Sequence, residues 1–150
     1  MKYKSFASGY LVKDDKVLLA HHVKFDKWVP PGGHIEDGET PAETVSREFV
    51  EETGMIVEVL PALPPAFAGD HNATPIPLPF HMDLEVEGFD VPHIGYFYFV
   101  KDTGETSEAT HKELELFDLQ WFSKDELIDL KTFEQVRALA KFAIDNYPKD

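Results

Sequence analysis

Apolar and polar positions alternate along several short runs of this chain, and along two others the apolar positions recur every three or four residues. Residues 5–12 alternate loosely, Lys13-Asp14-Asp15-Lys16 interrupts them as a polar turn, and residues 17–22 resume, which predicts a hairpin. Ala42, Val45 and Phe49 follow helical spacing and predict one apolar stripe. That helix has readable ends. Thr40-Pro41-Ala42-Glu43 is a capping box with proline at the first helical position, and Gly54 suits the residue just past the end, so the helix spans 41–53. Residues 56–60 are strand-like, 80–86 alternate, and the aromatic run 93–100 is the strongest strand pattern in the chain. The last two are expected as antiparallel neighbours in a central sheet. Residues 113–122 predict a further strand. Ser123 and Glu126 form a second capping box, which starts a short helix. A final amphipathic helix over 132–146 carries Phe133, Val136, Leu139, Ala140 and Ala143 on its apolar stripe, with Pro148 beyond its end.

The breaks between these elements are equally informative. Pro61, Pro64, Pro65, Pro75, Pro77 and Pro79 rule out a regular helix or central strand between 61 and 79. A loop of that length is expected to lie over a site, with Phe67, His71 and Phe80 as candidate substrate contacts. A polar stretch, 101–110, predicts a second surface loop. Phe25, Asp26, Lys27 and Trp28 form a loop leading into Val29-Pro30-Pro31-Gly32-Gly33. There the prolines remove backbone donors and the glycines let the backbone approach a neighbour closely. His34 and Glu36 fall in a short strand after the glycines, either as substrate contacts or simply on the wet face of an edge strand. Trp28 either stacks on a base or plugs the gap between strand and helix. His81, His93 and Asp83 flank the paired strands without close ligand spacing, so a core or surface role is expected of them.

Composition narrows the class. At 150 residues, with 43% hydrophobic residues and no internal repeat, the chain is expected to be one domain over 1–150. There is no cysteine, which excludes disulfides and thiolate metal sites. No apolar run has the length of a signal peptide or a membrane span, so a soluble cytoplasmic protein is expected. A formal net charge of −14 opposes binding to nucleic acid or to an anionic membrane. The same charge would repel a bare nucleotide, so any phosphate should arrive with metal. Arg47 and Arg137 are the only arginines, which leaves Mg²⁺ and lysines to neutralise phosphate.

The candidate chemistry lies on the first helix. Glu48, Glu51 and Glu52 stand at i, i+3 and i+4 and share a face, in the half of the helix where the macrodipole disfavours negative charge. Such crowding costs stability unless something offsets it. A hard divalent cation with oxygen ligands would do so; a solvated acidic face is the plain alternative. The flanks favour the cation. Gly32-Gly33 turns directly after the prolines, Glu39 precedes the helix, and Arg47 stands four residues before Glu51.

The stretch from Gly33 to Met55 resembles the Nudix box: glycine, five residues, glutamate, seven residues, Arg-Glu, an aliphatic, one residue, Glu-Glu, one residue, glycine, an aliphatic. Gly33, Glu39, Arg47, Glu48, Glu51, Glu52 and Gly54 fill its fixed positions. Phe49 stands where an aliphatic is usual, and Met55 is a mild variant at the last place. The resemblance implies an α/β fold, a Nudix-type α/β/α sandwich with a mixed central sheet. It implies Mg²⁺, with Mn²⁺ as a substitute, held by Glu48, Glu52 and the Gly32 carbonyl, with Glu51 completing the set or helping to activate water. Arg47 would orient the glutamates and Glu39 would support the loop. Trp28, His34, Glu36 and Phe80 are the candidate substrate contacts. In some relatives an acid in the region of Glu113 or Glu115 is a metal ligand or the catalytic base.

The implied reaction is hydrolysis of a phosphoanhydride in a nucleoside diphosphate linked to another group. The expected partner is a small nucleotide, and a homodimer is compatible with the family. A proline about 15 residues after the box, common in ADP-ribose enzymes, is replaced by Asp70 and His71. Asn72 stands where dinucleoside polyphosphate enzymes often carry tyrosine, and no coenzyme A motif precedes the box. Elimination leaves a nucleoside triphosphate pyrophosphatase. The alternatives are an ADP-ribose or nucleotide-sugar pyrophosphatase, and a non-catalytic nucleotide sensor, against which the intact glutamates speak.

Overall fold

Asp14 and Asp15 both take positive φ, 50° and 59°, the backbone that a two-residue turn needs to match the twist of antiparallel strands. They join β1 (Lys4–Lys13) to β2 (Lys16–His22), with Val12 opposite Val17 and Lys13 opposite Lys16. The structure is a computed structural model and describes residues 2–108 and 116–149. Next in the chain come β3 (Lys27–Val29), β4 (Gly32–His34), α1 (Pro41–Thr53), β5 (Met55–Leu60), β6 (His81–Glu85) and β7 (His93–Thr106). Then follow β8 (Leu116–Ser123), α2 (Lys124–Ile128) and α3 (Glu134–Asn146).

The sheet is mixed. Its path runs β3-β2-β1-β7-β5, with β4 beside β1, β6 beside β7 and β8 beside β2. β1 and β7 are parallel, in register from Lys4 with His93 to Leu11 with Val100. β6 and β5 both pair antiparallel to β7, at its two ends. Alternation along β1 and β7 sends side chains to two faces. Ala7, Leu11, Tyr98 and Val100 pack with Ala42, Val45 and Phe49 of α1. Tyr10, Val12, Phe97 and Phe99 pack with Leu127 of α2 and with Val136, Leu139, Ala140 and Ala143 of α3. The result is the expected α/β/α sandwich.

The helix α1 has the predicted ends. Thr40 and Glu43 make both bonds of the capping box, and Gly54 closes the helix at φ 75°. The approach of α1 to the sheet is set at Gly9. A Cβ there would lie 2.8 Å from atoms of Phe49, Val45 and Val100, so only glycine lets the helix sit this close. Val45 and Phe49 are fully buried, which stabilises the contact by about 1.5–3 kcal/mol each.

Four local expectations need correcting. Residues 101–106 continue β7 instead of forming a loop, because β5 supplies ladder partners such as Asp102 for Val57 and Thr106 for Met55. Residues 27–29 form a strand because β2 extends far enough to pair with them, His21 opposite Trp28. Glu36 lies beyond β4. α3 starts at Glu134, with Phe133 as its N-cap and half exposed, while Ile144 joins the buried stripe. Residues 61–80 contain no helix or strand; the span is closed at its base by Ala62 N–H donating to Leu78 O, and turned at Asp70. No helix among the described residues is long and apolar enough to cross a membrane.

Candidate active site

Arg47 is the hub of the site. Its position at the end of the second turn of α1 aims the guanidinium back at the loop that precedes the helix. Nε donates to Glu39 Oε2 at 2.6 Å and Nη2 to Glu39 Oε1 at 3.1 Å, a two-pronged pair. Nη1 donates to Glu48 Oε1 at 2.8 Å and to Glu51 Oε2 at 3.0 Å. Nη2 also reaches the carbonyl of His34 at 3.1 Å, and Glu36 lies 3.8 Å from Nε. One cation thus offsets much of the like-charge crowding that the sequence predicts. The Arg47 hydrogen bonds hold the Glu39 carboxyl down to about 2, assisted by the Glu36 N–H and the Thr44 hydroxyl. Glu39 in turn keeps the guanidinium protonated. Glu39 therefore braces the loop against α1 rather than facing outward as a ligand.

Glu52 does something different. Its carboxylate accepts the backbone N–H of Gly32 at 2.9 Å, joining the last turn of α1 to β4. Burial, then the neighbouring negative charge of Glu48, raises its proton affinity well above that of an ordinary carboxyl, and the Glu48 side chain lies within hydrogen-bonding reach. The two carboxyls therefore crowd one another. Glu48 also lies against Gly33, where a Cβ would come 2.4 Å from Glu48 Oε1. Adjacent glycines thus let β4 and two acidic side chains occupy one small volume. A crowded, partly buried carboxylate pair is chemically suited to a divalent cation, which would offset the repulsion. Among the described residues, no three His, Asp or Glu side chains are already gathered in ligating geometry. Arg47 instead holds Glu51 and one oxygen of Glu48.

The other sequence candidates are placed as follows. Trp28 is half-buried, edge-on to Phe122 at 5.0 Å and to His21 at 5.3 Å, and lies against the α3-side core. His34 stands at the end of β4 with its Nε2 3.0 Å from His93 Nε2. His93 is buried, with Nδ1 2.9 Å from Val91 O, so Nδ1 donates there and the two Nε2 atoms share one hydrogen bond. This pair, not a metal site, accounts for His93. Phe80 stacks on Phe99 at 4.4 Å and on Phe142 at 5.6 Å. It serves packing on the face of the sheet away from α1 and is not brought to the carboxylates. Phe67 and His71 are exposed. Glu113 and Glu115 lie outside the described residues.

One polar set escapes the sequence reading. Asp83 and Glu85 of β6 both bond Nε2 of Gln135 at 2.7 Å, and the hydroxyl of fully buried Tyr10 has no protein partner. The only signal in the sequence is the alternation His81-Met82-Asp83-Leu84-Glu85, which by default puts the acids in water.

Comparison with known proteins adds the following. The NUDIX domain family model matches residues 4–142. A crystal structure of a hydrolase of the NUDIX family from Clostridium perfringens is 30% identical, with a TM-score of 0.76, covering 94% of this chain and 95% of that one. A probable DHNTP pyrophosphohydrolase of Lactococcus lactis is 30% identical over 77% of this chain and 60% of its own length. A putative 8-oxo-dGTP diphosphatase of Mycobacterium tuberculosis is 32% identical over 76% of this chain and 47% of its own length. The chain thus spans about half the length of the curated relatives it matches.

Proposed function

This chain belongs to the Nudix family, and from that premise we propose that it hydrolyses a nucleoside triphosphate to a nucleoside monophosphate and pyrophosphate. The observation that carries the reading is the joining of Glu52 to Gly32, with Glu48 alongside, since it places carboxylates and a strand backbone around one point. Glu48, Glu52 and the Gly32 carbonyl would hold Mg²⁺, for which Mn²⁺ can substitute, and Glu51 would complete the set or accept a proton from the attacking water. A metal bound there would supply charge neutralisation on the phosphate oxygens and a more acidic water. Arg47 keeps the glutamates in register with the loop. Its own hydrogen bonds are committed to carboxylates and to His34 O, so it supports the reaction from behind. Water adds to phosphorus, the anhydride P–O bond breaks, and pyrophosphate leaves. Trp28 of β3 and His34 of β4 would border the substrate. The relatives named for DHNTP and 8-oxo-dGTP favour a triphosphate.

The test is a panel of nucleoside triphosphates, ADP-ribose, nucleotide sugars and diadenosine polyphosphates with Mg²⁺, with products separated by chromatography. Monophosphate and pyrophosphate from a triphosphate are expected. Cleavage confined to ADP-ribose or nucleotide sugars would replace the triphosphate reading. Absence of both hydrolysis and Mg²⁺ binding would turn the interpretation to a nucleotide sensor.

A further inference from the structure

Residues 61–79, between β5 and β6, have no packed underside. None of them is buried, yet the span carries Leu63, Phe67, Ile76 and Leu78, which are 46–65% exposed. It is nonetheless held in one shape. Ala62 N–H donates to Leu78 O at 3.0 Å and Asp70 N–H to Ala73 O at 2.9 Å, while Asp70 Oδ1 accepts the N–H groups of Asn72 and Ala73. Six prolines fix φ along it. The span is therefore a two-limbed arm turned at Asp70, and each limb of about eight residues reaches at most about 25 Å.

The strand that follows presents a second apolar surface. Gln135 holds Asp83 and Glu85 inward, which turns Met82 and Leu84 outward. They lie on the α1 side of the sheet, since Met82 stands opposite Tyr96, which packs on the α1-side core. At 50% and 53% exposure, they are left uncovered by α1. With Tyr3 and Ile94 they line a shallow apolar depression, and Val86 continues the exposed row. Seven exposed large apolar side chains thus fall between residues 63 and 86. At roughly 100 Å² each, half of what a large side chain buries, they present about 700 Å² per copy. That is close to the ~800 Å² that each partner contributes to a stable interface, and above the exposed patch of an ordinary monomer.

The arm is poorly suited to closing over phosphate. Residues 61–80 include no lysine or arginine, and the six prolines have no N–H to donate. Nor can the arm easily reach its own β6 face. Folding back requires a reversal at 77–79, where Pro77 and Pro79 fix φ and Pro79 holds Leu78 extended. Phe80 is anchored just beyond by its stacking on Phe99 and Phe142. Charge favours a second copy. Molecules with a net charge of −14 repel one another, and contact is least opposed where charge is absent. From Val59 to Met82, Asp70 is the only Asp, Glu, Lys or Arg. Each copy thus has an arm without a seat and a face without a cover, and a two-fold axis satisfies both at once.

We propose that the arm docks its apolar side chains on the Met82–Leu84 face of β6 in a second copy of this chain and that its own β6 face receives the second arm, giving a symmetric dimer. This interface is independent of which nucleotide the enzyme hydrolyses.

Two measurements on the full chain test it. Sedimentation of the wild type up to about 100 µM is expected to show the dimer, and Phe67→Asp or Leu84→Asp to weaken it by about tenfold or more, because each places a charge in an apolar contact. Both positions are exposed, so the fold should be retained, which circular dichroism checks. The chain has no cysteine, so single thiols can be placed without background. Phe67→Cys and Leu84→Cys, carrying different affinity tags, are mixed and treated with a short bismaleimide. A product carrying both tags is expected. A monomer at every concentration, a dimer that survives both aspartate variants, or absence of the two-tag product overturns the proposal. A link formed only within one chain of the Phe67→Cys/Leu84→Cys double variant also overturns it, and would make the arm a flap on its own molecule.

Discussion

The carboxylate of Glu52 and the backbone N–H of Gly32, twenty residues apart in sequence, are hydrogen-bonded at 2.9 Å. The bond crosses from the last turn of α1 to β4, so the helix carries an acid directly to the backbone of the glycine loop. Glu52 is buried and acts through its neighbours more than through solvent.

Glu52→Gln separates charge from shape. The amide oxygen can still accept the Gly32 N–H, and the amide nitrogen can donate to Glu48. The melting temperature should stay equal or rise, because the like-charge pair is removed. Metal-dependent hydrolysis should fall by more than the ~10–100-fold typical of losing a supporting residue. Thermal unfolding and a steady-state assay check both halves, and full activity in the variant would sink the ligand assignment.

Arg47→Ala should destabilise the fold by roughly 2–4 kcal/mol, because Glu39, Glu48 and Glu51 would be left partly buried without their cation. Arg47→Lys should recover only part of this, since an ammonium cannot hold Glu39 with two parallel bonds. Urea unfolding of the two variants gives the order directly.

The two glycines of the loop should respond differently to alanine. A Cβ on Gly32 would meet Ala7 O at 2.4 Å and Ser8 Cα at 2.7 Å, which are backbone atoms that cannot step aside. Gly32→Ala should therefore cost about 1–3 kcal/mol. A Cβ on Gly33 meets the Glu48 carboxylate, the end of a flexible side chain. Gly33→Ala should leave stability within about 1 kcal/mol of the wild type yet depress activity by displacing Glu48. Equal loss of stability in both variants would contradict this.

Stability should fall at both ends of the pH range for opposite reasons. Glu39 is held at about 2, below its ordinary 4.5, so the unfolded chain binds more protons between those values. Its contribution is present above 4.5 and is lost as the pH falls toward 2; solvent contact limits it to about 1–2 kcal/mol. Glu85 is pushed up to about 8 by burial and by its hydrogen bond with Asp83, so there the folded chain binds more protons. Its contribution is complete below 4.5 and is lost as the pH rises through 8. Denaturation followed against pH should show Glu39→Gln flattening the acid limb and Glu85→Gln the alkaline limb. Unchanged slopes would show that other groups carry them.

Much of this protein is determined by local sequence. The ends of α1 follow from a capping box and a glycine, and the β1–β2 hairpin follows from two residues that accept positive φ, because each signal acts within a few residues of itself. The spacing of Arg47, Glu48, Glu51 and Glu52 likewise puts them together on one helix wherever that helix docks. Docking was decided by tertiary structure: Gly9 lets α1 close on the sheet, and only then do Glu52 and Glu48 reach Gly32 and Gly33. The extent of β7 was also decided at long range, because the polar residues 101–106 are extended by a partner strand and not by their own preference. The inward turn of Asp83 and Glu85 runs against their alternation and depends on Gln135, about 50 residues further on. Hydrophobic patterning states which residues share a face, but only the packing of α3 determines that the acidic face of β6 is the one turned inside.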